Sequence, residues 1–421
     1  MNVFLTLPPQ SRRSLLVLFL AGLCFWASIT SLLPTIPLYL DFLGATQSQI
    51  GLVMGAFAVG LLPSRFGLGP LADVKGRKWV LYIGTFVAAT APIGYLLAHS
   101  IALMAVIRGF HGISIAAFTI GYSALVADIA PIDRRGTVIG YMSLVNSIGM
   151  AIGPALGGFL EAATGYDTLF IVSAAFGALG FLGISQVWEP SRPQQPITTV
   201  QTHQQRWTGI VQYFKLWGQP SLRTPAFVML MVGLIFGTLV TFLPLYIKAS
   251  GLNLNAGLFY SAAAIASFCV RAVVGRASDR LGRGIFISGG LSCYLLSMLM
   301  LWMSHSSVTL IFAAILEGMA AGIVIPMMIT LITDRASPQE RGRYFSLCIG
   351  GFDVGIAFAG PLFGLIAEEV GYRNLFMMDA GLAVIALAVF FTQSNPNLTL
   401  SLQFALGKAK DAHAYKAEHL S

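Results

Sequence analysis

Apolar residues in this 421-residue chain run in twelve stretches of about 20 residues or more, each ended by a short polar island. Neither the narrow stripe of a surface helix nor the alternation of a half-buried strand describes them. Coiled as a helix, a run of that length spans a hydrocarbon core roughly 30 Å thick. Backbone N–H and C=O groups inside lipid must be paired within their own segment, which leaves the helix as the open-ended solution. The pattern predicts spans 1 to 6 at about 14–40, 48–72, 78–98, 100–127, 136–163 and 167–187. Spans 7 to 12 follow at about 223–249, 254–278, 283–304, 306–332, 341–368 and 372–392. The expected fold class is an all-α membrane protein with twelve transmembrane helices.

Composition agrees, with 56% hydrophobic and only 10% charged residues and a mean hydropathy of +0.77. Soluble domains carry about a quarter charged residues. The charges also have an address. Three of the 25 Lys and Arg lie within spans (Arg65, Arg108 and Arg271), and Lys248 and Arg373 fall on one side. The remainder gather in alternate connections on the other side, from Arg12 and Arg13 to Lys408, Lys410 and Lys416. The positive-inside rule makes the rich side cytoplasmic, so both termini are expected there in a plasma (inner) membrane. Topology thus accounts for the net charge of +8 without nucleic-acid binding, since no basic cluster sits on a soluble domain. The N-terminal apolar run lacks a small-residue cleavage site and reads as span 1 rather than a removed signal peptide. The four cysteines fall inside spans without close spacing, which suggests neither a disulfide framework nor a metal site. No phosphate-binding loop, zinc spacing or catalytic domain is visible, so neither an enzyme nor a cofactor is expected.

The chain repeats itself. Arg65-x3-Gly69-x3-Asp73-x2-Gly76-Arg77 returns as Arg271-x3-Gly275-x3-Asp279-x2-Gly282-Arg283, an offset of 206. At the same offset Asp128 and Arg135-Gly136 return as Asp334 and Arg341-Gly342, and Gly165-Tyr166 as Gly371-Tyr372. Gly153-Pro154-x2-Gly157 returns as Gly360-Pro361-x2-Gly364 at 207. Six spans per copy keep both copies in one orientation, as parallel repeats about an axis along the membrane normal. The expected organisation is a six-helix bundle over 1–187, a polar Pro/Gln-rich cytoplasmic linker over 188–222, a second bundle over 223–392 and a cytoplasmic tail over 393–421.

These residues resemble the major facilitator superfamily over nearly the whole chain, and within it the twelve-helix drug:proton antiporter branch. The connection from Gly69 to Lys78 is similar to that family's signature loop. Arg65, Gly69, Asp73, Gly76 and Arg77, with Arg271, Gly275, Asp279, Gly282 and Arg283, are then expected to latch the cytoplasmic ends of the halves. Physically, glycines allow a tight turn, and Asp73 can accept hydrogen bonds from a helix N-terminus or a neighbouring arginine. Gly149-x3-Gly153-Pro154-x2-Gly157-Gly158 in span 5 resembles the motif typical of antiporters; four-residue spacing makes a smooth strip that lets another helix approach closely. Pro34-x2-Pro37 in span 1 adds to the likeness with drug:proton exporters.

Arg108-x3-Gly112 in span 4 resembles the family's second motif, whose arginine is associated with proton coupling. Arg108, His111, Phe118 and Tyr122 can share one helix face. An arginine inside a span costs about 2.5–3.5 kcal/mol on insertion scales and faces protein or water; hydrogen bonding to carbonyls of span 1 is its structural alternative. Proton coupling needs a carboxyl within the membrane, and Glu317 and Asp353 are the candidates, Glu317 being the repeat-mate of His111. Asp353 can instead hold a helix contact. Asp379 is expected near the outer end of span 12, which the resemblance places at the periphery. The absence of an acid deep in span 1 departs from some exporters. Trp26, Phe118, Tyr122 and Phe236 are candidate cavity residues that would favour an amphipathic solute, although aromatics in spans mostly pack or meet lipid.

The resulting expectation is a monomeric secondary transporter exporting a small amphipathic solute in exchange for protons, in contact with membrane lipid. A sugar or metabolite facilitator or symporter is the first alternative, and a transport-inactive membrane sensor the second.

Overall fold

The computed structural model describes residues 7–190, 219–337 and 340–415. Most of the predicted linker, from 191 to 218, and residues 416–421 of the tail lie outside them. The membrane-length helices are α1 (Pro9–Phe42), α2 (Gln47–Lys75), α3 (Arg77–Leu97), α4 (Ile101–Ile129), α5 (Arg135–Thr164) and α6 (Tyr166–Ser185). They continue with α7 (Pro220–Ala249), α8 (Ala256–Leu281), α9 (Arg283–Trp302) and α10 (Ser307–Arg335). The last helical stretch, Arg341–Gln393, is 53 residues long but breaks at Gly371, whose φ of 76° only glycine adopts readily. It is therefore two helices, α11 (341–370) and α12 (372–393), and the described residues carry the twelve segments that the hydropathy pattern predicts. A short helix, α13 (Leu398–Ala405), follows.

Helix ends are set by local chemistry. Thr46 and Gln49 close a reciprocal capping box at the start of α2. Ser100 and Ser306, which are repeat-mates, cap α4 and α10 by accepting from Leu103 and Thr309 N–H; such caps are worth about 1 kcal/mol each. α1 is broken between Ser31 and Thr35, at Pro34 of the proline pair.

The chain divides into two compact units. The first takes Met1–Arg192 together with Leu239–Ala264 and Gly360–Tyr372, so the adjoining ends of α7, α8 and α11 are built into it. Within this unit α1 packs on α5 and α6, α2 on α4, and α3 on α4 and α6. The glycine strip of α5 does what its spacing predicts. Added β-carbons at Gly149, Gly153 and Gly157 would overlap Trp26, Thr30 and Ser31 of α1. The Thr30 hydroxyl, bonded to the Trp26 carbonyl of its own helix at 2.7 Å, also lies 2.9 Å from the Gly149 carbonyl across the contact.

The second unit takes Pro193–Thr238, Ile265–Ala359 and Arg373–Ser421. Here α9 packs on α10, and α7 meets α11 where Gly233 and Gly237 face Phe352 and Ile356. The tail is fastened to the end of α10. Arg335 grips Asp411 with two bonds of 2.7 and 2.9 Å and donates to the carbonyls of Ser221 and Ser394. With its side chain fully enclosed, removal of either partner would leave a buried charge uncompensated, at a cost of about 3–5 kcal/mol.

His413 makes this docking pH-sensitive. Burial, and then the Arg335 guanidinium, hold its imidazole below the usual value of 6.5, with Asp411 opposing them. The docked tail thus favours neutral histidine. Its contribution is fully present above about pH 6.5 and is lost as pH falls through the lower docked value. Hydrogen exchange across 394–415, corrected for intrinsic pH dependence, is expected to accelerate below pH 6.5 and to lose that step in His413→Asn.

Candidate functional site

The predicted latch has a specific local geometry. Gly76, at φ 106°, ends α2 and starts α3, whereas Gly69 lies inside α2 with open space where a side chain would be. The tight turn thus falls on one glycine of the motif. Asp73 pairs with Arg77, and Arg77 Nε also lies 3.6 Å from Asp128 of α4. The repeat reproduces this, with Arg283 Nε 3.4 Å from Asp334 of α10 and Gly282 at φ 87°. Gly275 lies inside α8 like Gly69; Arg65 and Arg271 stand in α2 and α8, and the Asp279 side chain lies outside the described structure. The N-terminus of α3 receives Glu189 rather than Asp73: its carboxylate accepts from the N–H of Arg77 at 2.7 Å and of Lys78 at 3.3 Å. A carboxylate belongs there, facing the positive end of the helix dipole.

A second feature lies entirely within the first unit, at the start of α2 and α8. A β-carbon on Gly51 would overlap the Gly360 carbonyl of α11, and one on Gly257 the Pro154 carbonyl of α5. Gly51 and Gly257 are repeat-mates, as are the two Gly-Pro strips they touch. Gly158 lies against the Asn255 side chain beside them. Two polar contacts accompany the glycines: Lys248 Nζ to Asp41 at 2.7 Å, and Ser48 N–H to Glu368 at 3.1 Å. Backbone thus meets backbone at two symmetry-related places where one methyl group would prevent it.

The titratable candidates are all buried: Arg108, His111, Glu317 and Asp353. His111 Nδ1 lies 3.0 Å from the Tyr95 hydroxyl of α3, and Arg108 stands beside Tyr95 with its guanidinium 4.6 Å from the centre of the Phe57 ring. His111 Nε2 is buried without a hydrogen-bond partner. In the second unit Tyr294 of α9 is fully buried close to Glu317 and Arg271, and its hydroxyl makes no hydrogen bond among the described residues. Each of the repeat-mates His111 and Glu317 therefore has a buried tyrosine of the preceding helix close by, and His111 has Arg108 as well. Asp353 is enclosed in α11, away from the tyrosine of either group in sequence. Asp379 is fully buried in α12 beside Thr238 of α7. The Thr238 hydroxyl proton goes to the Leu234 carbonyl instead, and both carboxyl oxygens lack a hydrogen-bond partner.

Trp26, Phe118 and Tyr122 come together in one apolar core with Phe25. Phe25 and Phe118 stack at 3.8 Å, Tyr122 follows at 5.1 Å, and its hydroxyl donates to the Met142 carbonyl. Phe236 lies 5.8 Å from Phe352 in the second unit.

The sequence profile described as Major Facilitator Superfamily matches residues 18–300 and 272–416. The chain belongs to the major facilitator superfamily. It is 26% identical over 388 residues to a staphylopine export protein of Staphylococcus aureus, covering 89% of this chain and 94% of that protein. It is 31% identical over 172 residues to quinolone resistance protein NorA of the same species, covering 41% of this chain and 44% of NorA. Among solved structures, the nucleoside transporter NupG superposes with a TM-score of 0.74 at 16% identity, over 90% of this chain and 99% of that one. The peptide transporter POT in complex with sulfate gives 0.73 at 15%, over 92% and 97%. At such identities the two structures show the shared fold. This superfamily member is thus a multi-pass membrane protein of a transporter family. Two features of it carry no sequence mark. Glu189 sits in a polar stretch without periodicity, and Tyr95 and Tyr294 look like packing aromatics. Gly51 and Gly257, by contrast, share the repeat offset of 206 as single residues outside its longer motifs.

Proposed function

We propose that this superfamily member exports small amphipathic molecules in exchange for protons, by alternating access between two six-helix bundles (1–187 and 223–392). The bundles would be joined by the linker at 188–222 in a monomer of the plasma (inner) membrane, with both termini and the 393–421 tail in the cytoplasm. The observation that carries the reading is a pair of buried titratable groups at repeat-related positions, His111 beside Tyr95 and Arg108 in one half and Glu317 near Tyr294 in the other. An intramembrane carboxyl and imidazole are groups whose charge depends on which side admits water. Glu317 is the proton carrier in this reading, His111 and Arg108 set its counterpart in the other bundle, and Asp353 is a second acid of the path.

Export as the direction is supported by the staphylopine exporter, to which the likeness runs nearly end to end, and by NorA over a shorter stretch. Low polarity inside the spans supports an amphipathic solute, whereas Trp26, Phe118 and Tyr122 pack against one another. The glycine contacts of Gly51 and Gly257 act as the outer closure, and the Arg77–Asp128 and Arg283–Asp334 pairs brace the cytoplasmic end of each bundle. Inverted vesicles carrying the protein, given an acidic interior, are expected to accumulate an amphipathic cationic dye and release it when nigericin collapses the gradient. Accumulation indifferent to nigericin would overturn the proton-coupled reading and favour a facilitator.

A further inference from the structure

α13 lies beyond the membrane-length helices, and its surroundings divide its circumference into three. Ser401, Phe404 and Ala405 are buried. The Phe404 backbone lies against Gly284 of α9, its ring is 6.0 Å from Phe390 of α12, and the Ser288 hydroxyl donates to the Ala405 carbonyl. At 100° per residue, Leu398, Leu402 and the capping Leu406 line an adjoining flank, exposed by 55%, 38% and 49%. Exposed Thr399 and Gln403 form the third, polar arc, which half-buried Leu400 separates from the buried side. Gly407 then turns at φ 73° against Ile285 and the Leu281 carbonyl, and exposed Lys408 and Lys410 follow.

The leucine flank does not stand alone. Leu281 and Ile285, at the junction of α8 and α9, are themselves exposed apolar side chains, part of the surface that spanning helices offer to lipid. The flank of α13 continues that surface across Gly407, and the two lysines stand where it ends. Apolar flank, polar arc and basic edge are the parts of a helix that lies in the membrane interface, and paired lysines beside it select anionic over zwitterionic headgroups.

We propose that α13 with Lys408 and Lys410 is an interfacial binding site for anionic phospholipid. The leucine flank rests at the boundary between headgroups and acyl chains, and the lysines hold the headgroup charge. Because Asp411 follows at once and is gripped by Arg335, lipid bound here is coupled to the end of α10.

The test uses the full chain with its four cysteines replaced by serine and a nitroxide at Leu402→Cys or Gln403→Cys. It is reconstituted in phosphatidylcholine vesicles and in vesicles of equal phosphatidylcholine and phosphatidylglycerol. The label at 402 is expected to be several-fold more sensitive to oxygen, relative to a water-soluble nickel chelate, than the label at 403. The difference is expected to widen with phosphatidylglycerol. Lys408→Gln with Lys410→Gln should weaken the phosphatidylglycerol effect roughly twentyfold, each surface lysine contributing about fivefold. Equal water access at both positions in both vesicles would overturn the proposal, as would burial of position 402 that ignores phosphatidylglycerol and the lysines. Native mass spectrometry of the chain with its own cysteines supplies a second reading: retention of phosphatidylglycerol over phosphatidylcholine supports the site, and equal retention contradicts it.

Discussion

Gly51→Leu and Gly257→Leu are each expected to cut transport about tenfold or more, while Gly381→Leu leaves it within about twofold. The reason is spatial. A β-carbon at Gly51 or Gly257 would overlap a carbonyl of the facing helix, whereas one at Gly381 in α12 meets open space. Overpacking costs about 1–3 kcal/mol, and the rest of a leucine adds to it, so the arrangement in which these helices touch would be depopulated by about tenfold or more. Folding is expected to survive, because the helices can separate at this end and keep their other contacts. A thiol placed at Ser48, whose N–H bonds Glu368 across the same contact, should then label faster in Gly51→Leu than in the parent chain. Normal transport with unchanged labelling would show that the glycine contacts form no closure.

Glu317→Gln carries the second large effect. Glutamine has nearly the shape of glutamate but can neither gain nor lose the proton. One pH unit supports about tenfold accumulation when one proton exchanges for one solute molecule, and the variant is expected to show none. Exchange of solute down its own gradient should persist, since alternation itself needs no proton at 317. Tyr294→Phe removes a buried hydroxyl close to Glu317 and is expected to shift the pH at which transport is half-maximal while keeping accumulation. Retained accumulation in Glu317→Gln would move the carrier elsewhere, with Asp353 and the enclosed Asp379 as the remaining acids.

Much of the fold is legible in the chain itself, because lipid imposes one solution on every long apolar run. Even the junction of α11 and α12, hidden in one continuous helical stretch, is marked by Gly371 as the repeat of Gly165. Both glycines have positive φ. Duplication also pointed to Asp128 and Asp334 before their partners Arg77 and Arg283 were apparent. What escaped has a common cause: side chains whose roles depend on the neighbouring helix. Tyr95 and Tyr294 differ from other buried aromatics only in having a titratable group opposite. Asp379 reads as peripheral until the packing of α12 on α7 encloses it, and Arg335 reads as a topological charge until Asp411 meets it. Hydrophobic pattern reports which residues avoid water; it does not report which helix they face.

Proton exchange for solute is the central claim, and the direct measurement runs it backwards. Proteoliposomes loaded with the transported dye and a trapped pH indicator, with no pH gradient imposed, are diluted into dye-free buffer. The account predicts that dye leaving will drive protons in and acidify the lumen in the parent chain, with no acidification in Glu317→Gln although dye still leaves. Dye efflux from the parent chain with a constant internal pH would contradict it.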